Sequence, residues 1–284
     1  MDISVVGAGR VGTALAVLLQ RAGHRITGVS GGTRTAERAA EFLPGVPVLP
    51  STEAAGAEVV IVAVPDGAIP RVAHEIAGLL KEGQSVVHVS GASGLEALEA
   101  VARPGARRLA VHPLQSFPTV EAGIERLPGS GAAVTAEDEE GFALGERLAR
   151  DAGAVPFRLP DGARPLYHAA AVFAANYVAV VTVLADRLFR EAGLTDPVPL
   201  FEPLSRAVLE NVAALGPVAA LTGPAARGEA ETIRRNLEAL AERAPEAVPA
   251  YLALADVALD IAHRSGRLPD DSRRAVEEVL RGWR

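Results

Sequence analysis

The sequence predicts an α/β fold: a doubly wound, mainly parallel sheet followed by an all-α region. Three observations predict it. Short β-branched runs alternate with amphipathic segments through residues 1–160. One run, 58–64, is almost unbroken apolar sequence, as a strand buried on both faces requires. From residue 165 onward period-two alternation vanishes, and long alanine- and leucine-rich segments replace it.

The elements follow in order. Strands are expected at 3–6, 25–29, 58–64, 85–89 and 107–111, with helices at 11–22, 35–42, 69–80 and 94–102 between them. Two later runs, 131–134 and 155–159, flank a helical 137–152 and extend the sheet. Pro160-Asp161-Gly162 marks a break in pattern, so the chain divides into a nucleotide-binding domain at 1–160 and a helical domain at 161–284. Helices are expected at 165–192, 198–215, 230–243, 247–264 and 271–282, separated by Gly193, Pro197, Gly216-Pro217, Gly223-Pro224 and Gly266.

Composition narrows the function. A length of 284 residues suits two domains at roughly 150 residues each. Apolar residues make up 49% of the chain, which argues against disorder. The net charge of −7 argues against a nucleic-acid surface. The chain has no cysteine, which removes disulfides, thiolate metal sites and cysteine nucleophiles. Lys81 is the one lysine among 28 basic residues, so a catalytic lysine has a single candidate. No export signal precedes the first strand, and a cytoplasmic protein is expected. The tract 169–185 reads as a buried core helix rather than a membrane span, because it is alanine-rich and carries Asn176. Long apolar helices in a small domain predict a homodimer through the helical domain.

Gly7-Ala8-Gly9-Arg10-Val11-Gly12 lies between a strand and a helix, the context in which a GxGxxG run binds a dinucleotide. Gly7 makes the tight turn, Gly9 admits the pyrophosphate, and Gly12 lets helix and strand pack. The helix N-terminus offers unpaired N–H groups and the positive end of its dipole. An NAD-binding chain usually ends its second strand on an acid. Here that stretch reads Ser30-Gly31-Gly32-Thr33-Arg34, with no acid before Glu37. Ser30 and Arg34, with Arg38 or Arg10, suit a 2′-phosphate, so NADP(H) is the expected cofactor. Val64 and Pro65 end the third strand as apolar neighbours of the cofactor. Ser90 and Gly91 end the fourth, near the nicotinamide and substrate.

The chemical centre is expected at His112, at the end of the fifth strand on the same sheet edge. A hydride arriving at a carbonyl carbon leaves charge on oxygen, and a histidine titrating near neutrality can protonate it. Gln115 and Ser116 add polar groups. His168 and Asn176 sit eight apart on one helix. A buried amide in an apolar run costs roughly 1–3 kcal/mol without partners, so Asn176 is expected to face the cleft. Arg227, after Thr222-Gly223-Pro224, suits a substrate carboxylate. His24, His74, His88 and His263 show no metal-ligand clustering with acids, and no metal is expected.

Together the GAGRVG start, His-Val-Ser-Gly at 88–91, His-Pro-Leu-Gln-Ser-Phe at 112–117, the Tyr-His-to-Asn-Tyr helix at 167–177 and Leu-Thr-Gly-Pro-Ala-Ala-Arg-Gly at 221–228 resemble one family. It is that of bacterial Rossmann-like oxidoreductases with a C-terminal helical domain of unknown function. The family is similar in architecture to ketopantoate reductases, pyrroline-5-carboxylate reductases, prephenate dehydrogenases and deazaflavin-dependent NADP oxidoreductases. The resemblance implies an NADP-linked dimer acting on a small molecule, and some members look like an alternative ketopantoate reductase. The chain departs from ordinary ketopantoate reductases in one respect: its first long helix after the sheet carries His168 and Asn176 where they place a catalytic lysine.

The resulting expectation is an NADP(H)-dependent reductase of a small oxo acid or imine. His112 and Asn176 serve the chemistry, and Ser90, Ser116, His168 and Arg227 bind substrate. Hydride exchange with a deazaflavin, which needs no side-chain acid, and a non-catalytic NADP(H) sensor are the alternatives.

Overall fold

The computed structural model describes residues 1–102 and 105–284. It forms two compact units, Met1–Asn176 and Tyr177–Arg284. The first contains β1 (Asp2–Val6), α1 (Arg10–Arg21), β2 (Arg25–Ser30), α2 (Thr35–Phe42), α3 (Ser51–Ala54), β3 (Val59–Val62), α4 (Ile69–Ala77), β4 (Ser85–His88), α5 (Glu99–Ala102), β5 (Arg107–Pro113), α6 (Val120–Arg126), β6 (Gly131–Ala136), α7 (Glu139–Asp151), β7 (Val155–Arg158) and α8 (Arg164–Ala171).

The seven strands form one sheet in the order β2-β1-β3-β4-β5-β6-β7. The first five are mutually parallel, β6 runs antiparallel to β5, and β7 is parallel to β6. Every residue of β3 is buried, as its apolar run requires. Alternate residues of the central strands feed two cores. Ile3, Val5, Ile61, Val87 and Leu109 pack with Leu15 and Leu148, whereas Val6, Val60, Val62 and Val86 pack with Ile69, Ile76 and Leu98. Parallel pairing of Val6 with Ser30, Val6 with Val62 and Val62 with His88 brings the glycine loop and the ends of β2, β3 and β4 to one edge. Sequence pattern did not mark α3 and α6; the latter starts at Thr119, whose Oγ1 accepts from the Ala122 N–H at 3.1 Å.

Val172–Asn176 wind as one wide π-type turn after α8. The second unit contains α9 (Tyr177–Glu191), α10 (Val198–Leu215), α11 (Pro217–Ala220), α12 (Pro224–Arg227), α13 (Ala230–Arg243), α14 (Val248–Arg264) and α15 (Asp270–Arg281). Its core is Ile233, Leu237, Leu252, Leu259, Val276 and Leu280, drawn from α13, α14 and α15. Truncating one of these to alanine costs roughly 2–5 kcal/mol.

One expectation is overturned here. The tract 169–185 is not a buried core helix: α9 has no buried residue, and of α10 only Phe201 is buried. Val183 is 67% exposed and Leu204 66%. Alanine and valine make these helices apolar without giving them a core to enter. By length and composition, Asp161–Glu191 is apolar enough to cross a membrane.

Candidate functional site

The glycine loop sits where β1 meets α1. Gly7 has φ +101°, a conformation side chains resist, and a Cβ there would stand 2.5 Å from the Ala63 carbonyl oxygen. A Cβ at Gly12 would lie 2.4 Å from the Gly7 carbonyl oxygen, so α1 packs directly on the turn. Gly9 differs: its nearest neighbour to such a carbon is 3.9 Å away. Its backbone is therefore open to a ligand. The Gly7 and Ala8 N–H groups both donate to the Ser30 carbonyl at 2.8 Å, which locks the loop to β2. No side chain caps α1, and no acid lies in its first turn, so an anion meets bare N–H groups.

A cleft of about 520 Å³ opens beside this loop. Gly7, Gly9, Ser30, Arg38, Val64 and Pro65 are among its walls. The open Gly9 backbone, the uncapped helix and the adjacent arginine fit a dinucleotide phosphate. Arg38 Nη1 donates to the Ala8 carbonyl at 3.3 Å and, among the described residues, has no ion-pair partner. Arg34 lies elsewhere: its Nε donates to Glu37 at 3.1 Å, the pair is exposed, and it does not line the cleft. Arg10 is exposed at the start of α1, and Val11 is half-buried.

Further along the same edge, β5 and α8 bring three aromatic side chains together over the turn that follows β4. His112 Nδ1 is 2.8 Å from the Tyr167 hydroxyl. The His112 and His168 rings stand edge to face, 6.3 Å between centroids. Both converge on Gly91. A Cβ there would stand 2.9 Å from His112 Nε2 and 2.7 Å from His168 Nδ1. His168 Nδ1 is buried without a hydrogen-bond partner.

Burial, then the nearby Arg164 charge, pushes the His112 imidazole down to about 4. His112 is therefore neutral at pH 7, which corrects the expectation of a histidine titrating near neutrality. His88 is pushed down to about 4 by the same two causes. Its Nε2 donates to the Gly94 carbonyl at 3.1 Å, and its Nδ1 accepts from the Ser90 N–H at 3.2 Å. Burial raises the Tyr167 hydroxyl above the usual phenol range.

The remaining expected residues fall in varied places. The Ser90 hydroxyl is buried and accepts from the Ala92 and Ser93 N–H groups at 3.2 and 3.0 Å, so it braces its own turn. Ser116 is exposed beside Gln115, whose amide donates to Ser130 Oγ at 2.9 Å. Asn176 is exposed as well. Its amide pays no burial penalty, and the argument that placed it in a cleft lapses. Arg227, in the second unit, is bound on two nitrogens by Glu229, at 2.6 and 3.1 Å, so its fork is already engaged.

Sequence reading passed over Arg164. It is fully buried at the first position of α8. A cation at a helix N-terminus opposes the dipole, and that anomaly was the available signal.

Residues 1–113 match the model of a Rossmann-like domain, and residues 130–258 match a domain of unknown function, DUF2520. No curated protein matches the chain. A protein of Bacteroides fragilis, provisionally described as an NADP oxidoreductase, is 25% identical with a TM-score of 0.76, over 91% of this chain and 98% of that one. The protein TM1727 of Thermotoga maritima is 22% identical with a TM-score of 0.69, over 93% and 100% of the two chains. The pyrroline carboxylate reductase of Plasmodium falciparum, solved with NADP bound, shares the fold at 12% identity and a TM-score of 0.62, over 97% and 98%.

Proposed function

We propose that this chain, a Rossmann-like domain followed by a DUF2520 domain, is an NADP(H)-dependent oxidoreductase that reduces a small oxo acid or imine. The observation that carries the reading is the adjacency of two features on one sheet edge. The glycine loop and its cleft lie at the ends of β1, β2 and β3, and His112, Gly91 and Tyr167 lie at the ends of β4 and β5 and on α8. The NADP oxidoreductase description of the Bacteroides fragilis protein supports the same class.

The Gly9 backbone and the α1 N-terminus hold the pyrophosphate. Ser30 and Arg38 hold the 2′-phosphate, because no acid stands at the end of β2 to receive a free ribose hydroxyl and Arg38 lines the cleft without a carboxylate partner. A bound nicotinamide supplies the hydride. His112 then acts as a neutral imidazole. With the Tyr167 hydroxyl donating to Nδ1, the ring proton resides on Nε2, where it stabilises the charge that develops on a substrate oxygen or nitrogen. As Nε2 gives up its proton, Nδ1 takes one from the Tyr167 hydroxyl, so the ring stays neutral as its other tautomer, and the half-buried Tyr167 recovers its proton from solvent.

A second copy of the chain covers the apolar faces of α9 and α10. Val180, Val183, Leu204 and Leu209 are each more than half exposed on them. Arg187, Arg190 and Arg206 on the same helices are paired to carboxylates, which suits a protein partner better than lipid.

The test is NADPH consumption with purified protein across 2-oxo acids, ketopantoate included, and cyclic imines, with NADH in parallel. Turnover selective for NADPH and lost in His112→Ala supports the reading. Tight NADPH binding with no turnover favours a sensor, and hydride exchange with a deazaflavin alone favours a cofactor-to-cofactor enzyme.

A further inference from the structure

Arg164 is the largest of the fully buried side chains, and its guanidinium reaches three residues in two segments. Nε donates to the Ser93 carbonyl at 2.6 Å, Nη1 to Thr135 Oγ1 at 2.8 Å, and Nη2 to the Ser90 carbonyl. Thr135 Oγ1 in turn donates to the Leu159 carbonyl at 2.7 Å, so the fork also reaches the end of β7. The acceptors are backbone carbonyls and a hydroxyl. No carboxylate lies within ion-pair distance of Arg164 among the described residues. Asp161, close by, has one oxygen occupied by the Leu95 N–H at 3.0 Å.

A buried cation without a counter-ion is expensive, and a methionine or leucine would fill the volume at less cost. What the arginine adds is a three-pronged grip and a fixed charge. The grip falls on Ser90 and Ser93, which bracket Gly91, and Gly91 is the floor on which the His112 and His168 nitrogens rest.

We propose that Arg164 is a positioning residue for the His112 centre: it fastens the Ser90–Ser93 turn against β6 beneath the two imidazoles and sets a positive charge, with no carboxylate in contact, beside them. The charge disfavours a second cation at that point, so His112 meets the substrate as a neutral ring. It also favours a substrate that carries or develops negative charge there, an oxo acid over a pre-formed iminium cation. This consequence for substrate rests on the reductase reading, whereas the positioning role does not.

The charged and titratable groups facing His112 are Arg164, Tyr167 and His168 on α8, His88 on β4, and Asp66 in the turn after β3. Removing Arg164 should therefore ease protonation of His112, with the others unchanged. The experiment is a histidine-selective nitrogen NMR titration of the full chain without cofactor, joined to amide exchange, on wild type, Arg164→Met, Arg164→Lys and Thr135→Val. In wild type and Arg164→Lys, which keeps the charge, the His112 midpoint stays near 4. In Arg164→Met its proton affinity rises at least about tenfold. Thr135→Val removes one anchor and no charge, so it leaves the midpoint in place.

In Arg164→Lys the Gly91, Ala92 and Ser93 amides exchange at least about tenfold faster while Val86 and Val87 do not, because lysine lacks the fork. If Arg164→Met does not fold, this exchange pattern in Arg164→Lys decides the matter. An unchanged His112 midpoint in folded Arg164→Met overturns the proposal. So does exchange in Arg164→Lys that is unchanged or uniformly faster. All readouts are taken without cofactor or substrate, so failure of the reductase reading, seen as no turnover, is a separate result.

Discussion

His112 Nδ1 lies 2.8 Å from the Tyr167 hydroxyl, across 55 residues of chain. If the Tyr167 hydroxyl donates there, as proposed, the half-buried imidazole has a proton source on the side away from Gly91. His112→Ala should lower turnover roughly 10²–10⁴-fold, the usual range for a lost acid–base group. Tyr167→Phe should lower it by less, about tenfold, and leave NADPH affinity unchanged. Steady-state kinetics on both variants check this, and wild-type turnover in either removes that residue from the proton path.

A side chain at Gly91 would press on two rings. A Cβ there would stand 2.7 Å from His168 Nδ1 and 2.9 Å from His112 Nε2, so both rings must move to admit it. Gly91→Ala should cost roughly 1–3 kcal/mol of stability by overpacking. It should also disturb the His112 and His168 ring resonances while leaving distant ones in place, as denaturant melts and histidine spectra would show.

Acid should weaken the first unit before most carboxylates titrate. His88 and His112 take up a proton near pH 6.5 in the unfolded chain and only near 4 in the folded one, chiefly because burial penalises the charge. The stability they confer is complete above pH 6.5 and declines as pH falls toward 4, by up to roughly 3 kcal/mol per ring. Thermal melts at pH 7 and 5 should show the decline, and His112→Gln should flatten it.

Cofactor choice should follow Arg38 and not Arg34. Arg38→Ala should weaken NADPH binding roughly tenfold to a hundredfold, the worth of a charge-assisted contact, and leave NADH binding alone. Arg34→Ala should change neither by more than about twofold, since an exposed arginine already held by Glu37 has little to lose. Titration calorimetry with both nucleotides reads the difference.

The apolar stripe of the second unit predicts an association that a charge should abolish. Val183→Glu with Leu204→Glu, both on exposed positions, should convert a dimer to monomer in sedimentation runs without loss of helix. A wild-type protein that sediments as a monomer at all concentrations contradicts the assembly.

Much of the fold was legible because its signals are local. The 35–42 helix, the 198–215 helix and the 230–243 helix follow from apolar period and breaker residues, and the structure places α2, α10 and α13 on the same bounds. Gly7 and Gly12 were readable because their need for no side chain is written in the motif. The candidate site was half legible. His112 and His168 stood out as titratable groups at the right edge, yet the neutrality of His112 depends on burial and on Arg164, neither of which leaves a trace in spacing. Arg227 looked available only because Glu229, two residues on, was not weighed against it. The exposure of α9 was hidden for a similar reason, since an apolar helix reads alike whether or not the rest of the chain covers it.

The most direct test of the account uses NADPH deuterated at the transferable nicotinamide position, mixed with the protein and the panel of 2-oxo acids and cyclic imines, with products read by mass spectrometry. One product, from an oxo acid or an imine, should carry deuterium on the former carbonyl or imine carbon, and none should form with His112→Ala. Saturating NADPH binding with no deuterium in any compound contradicts it.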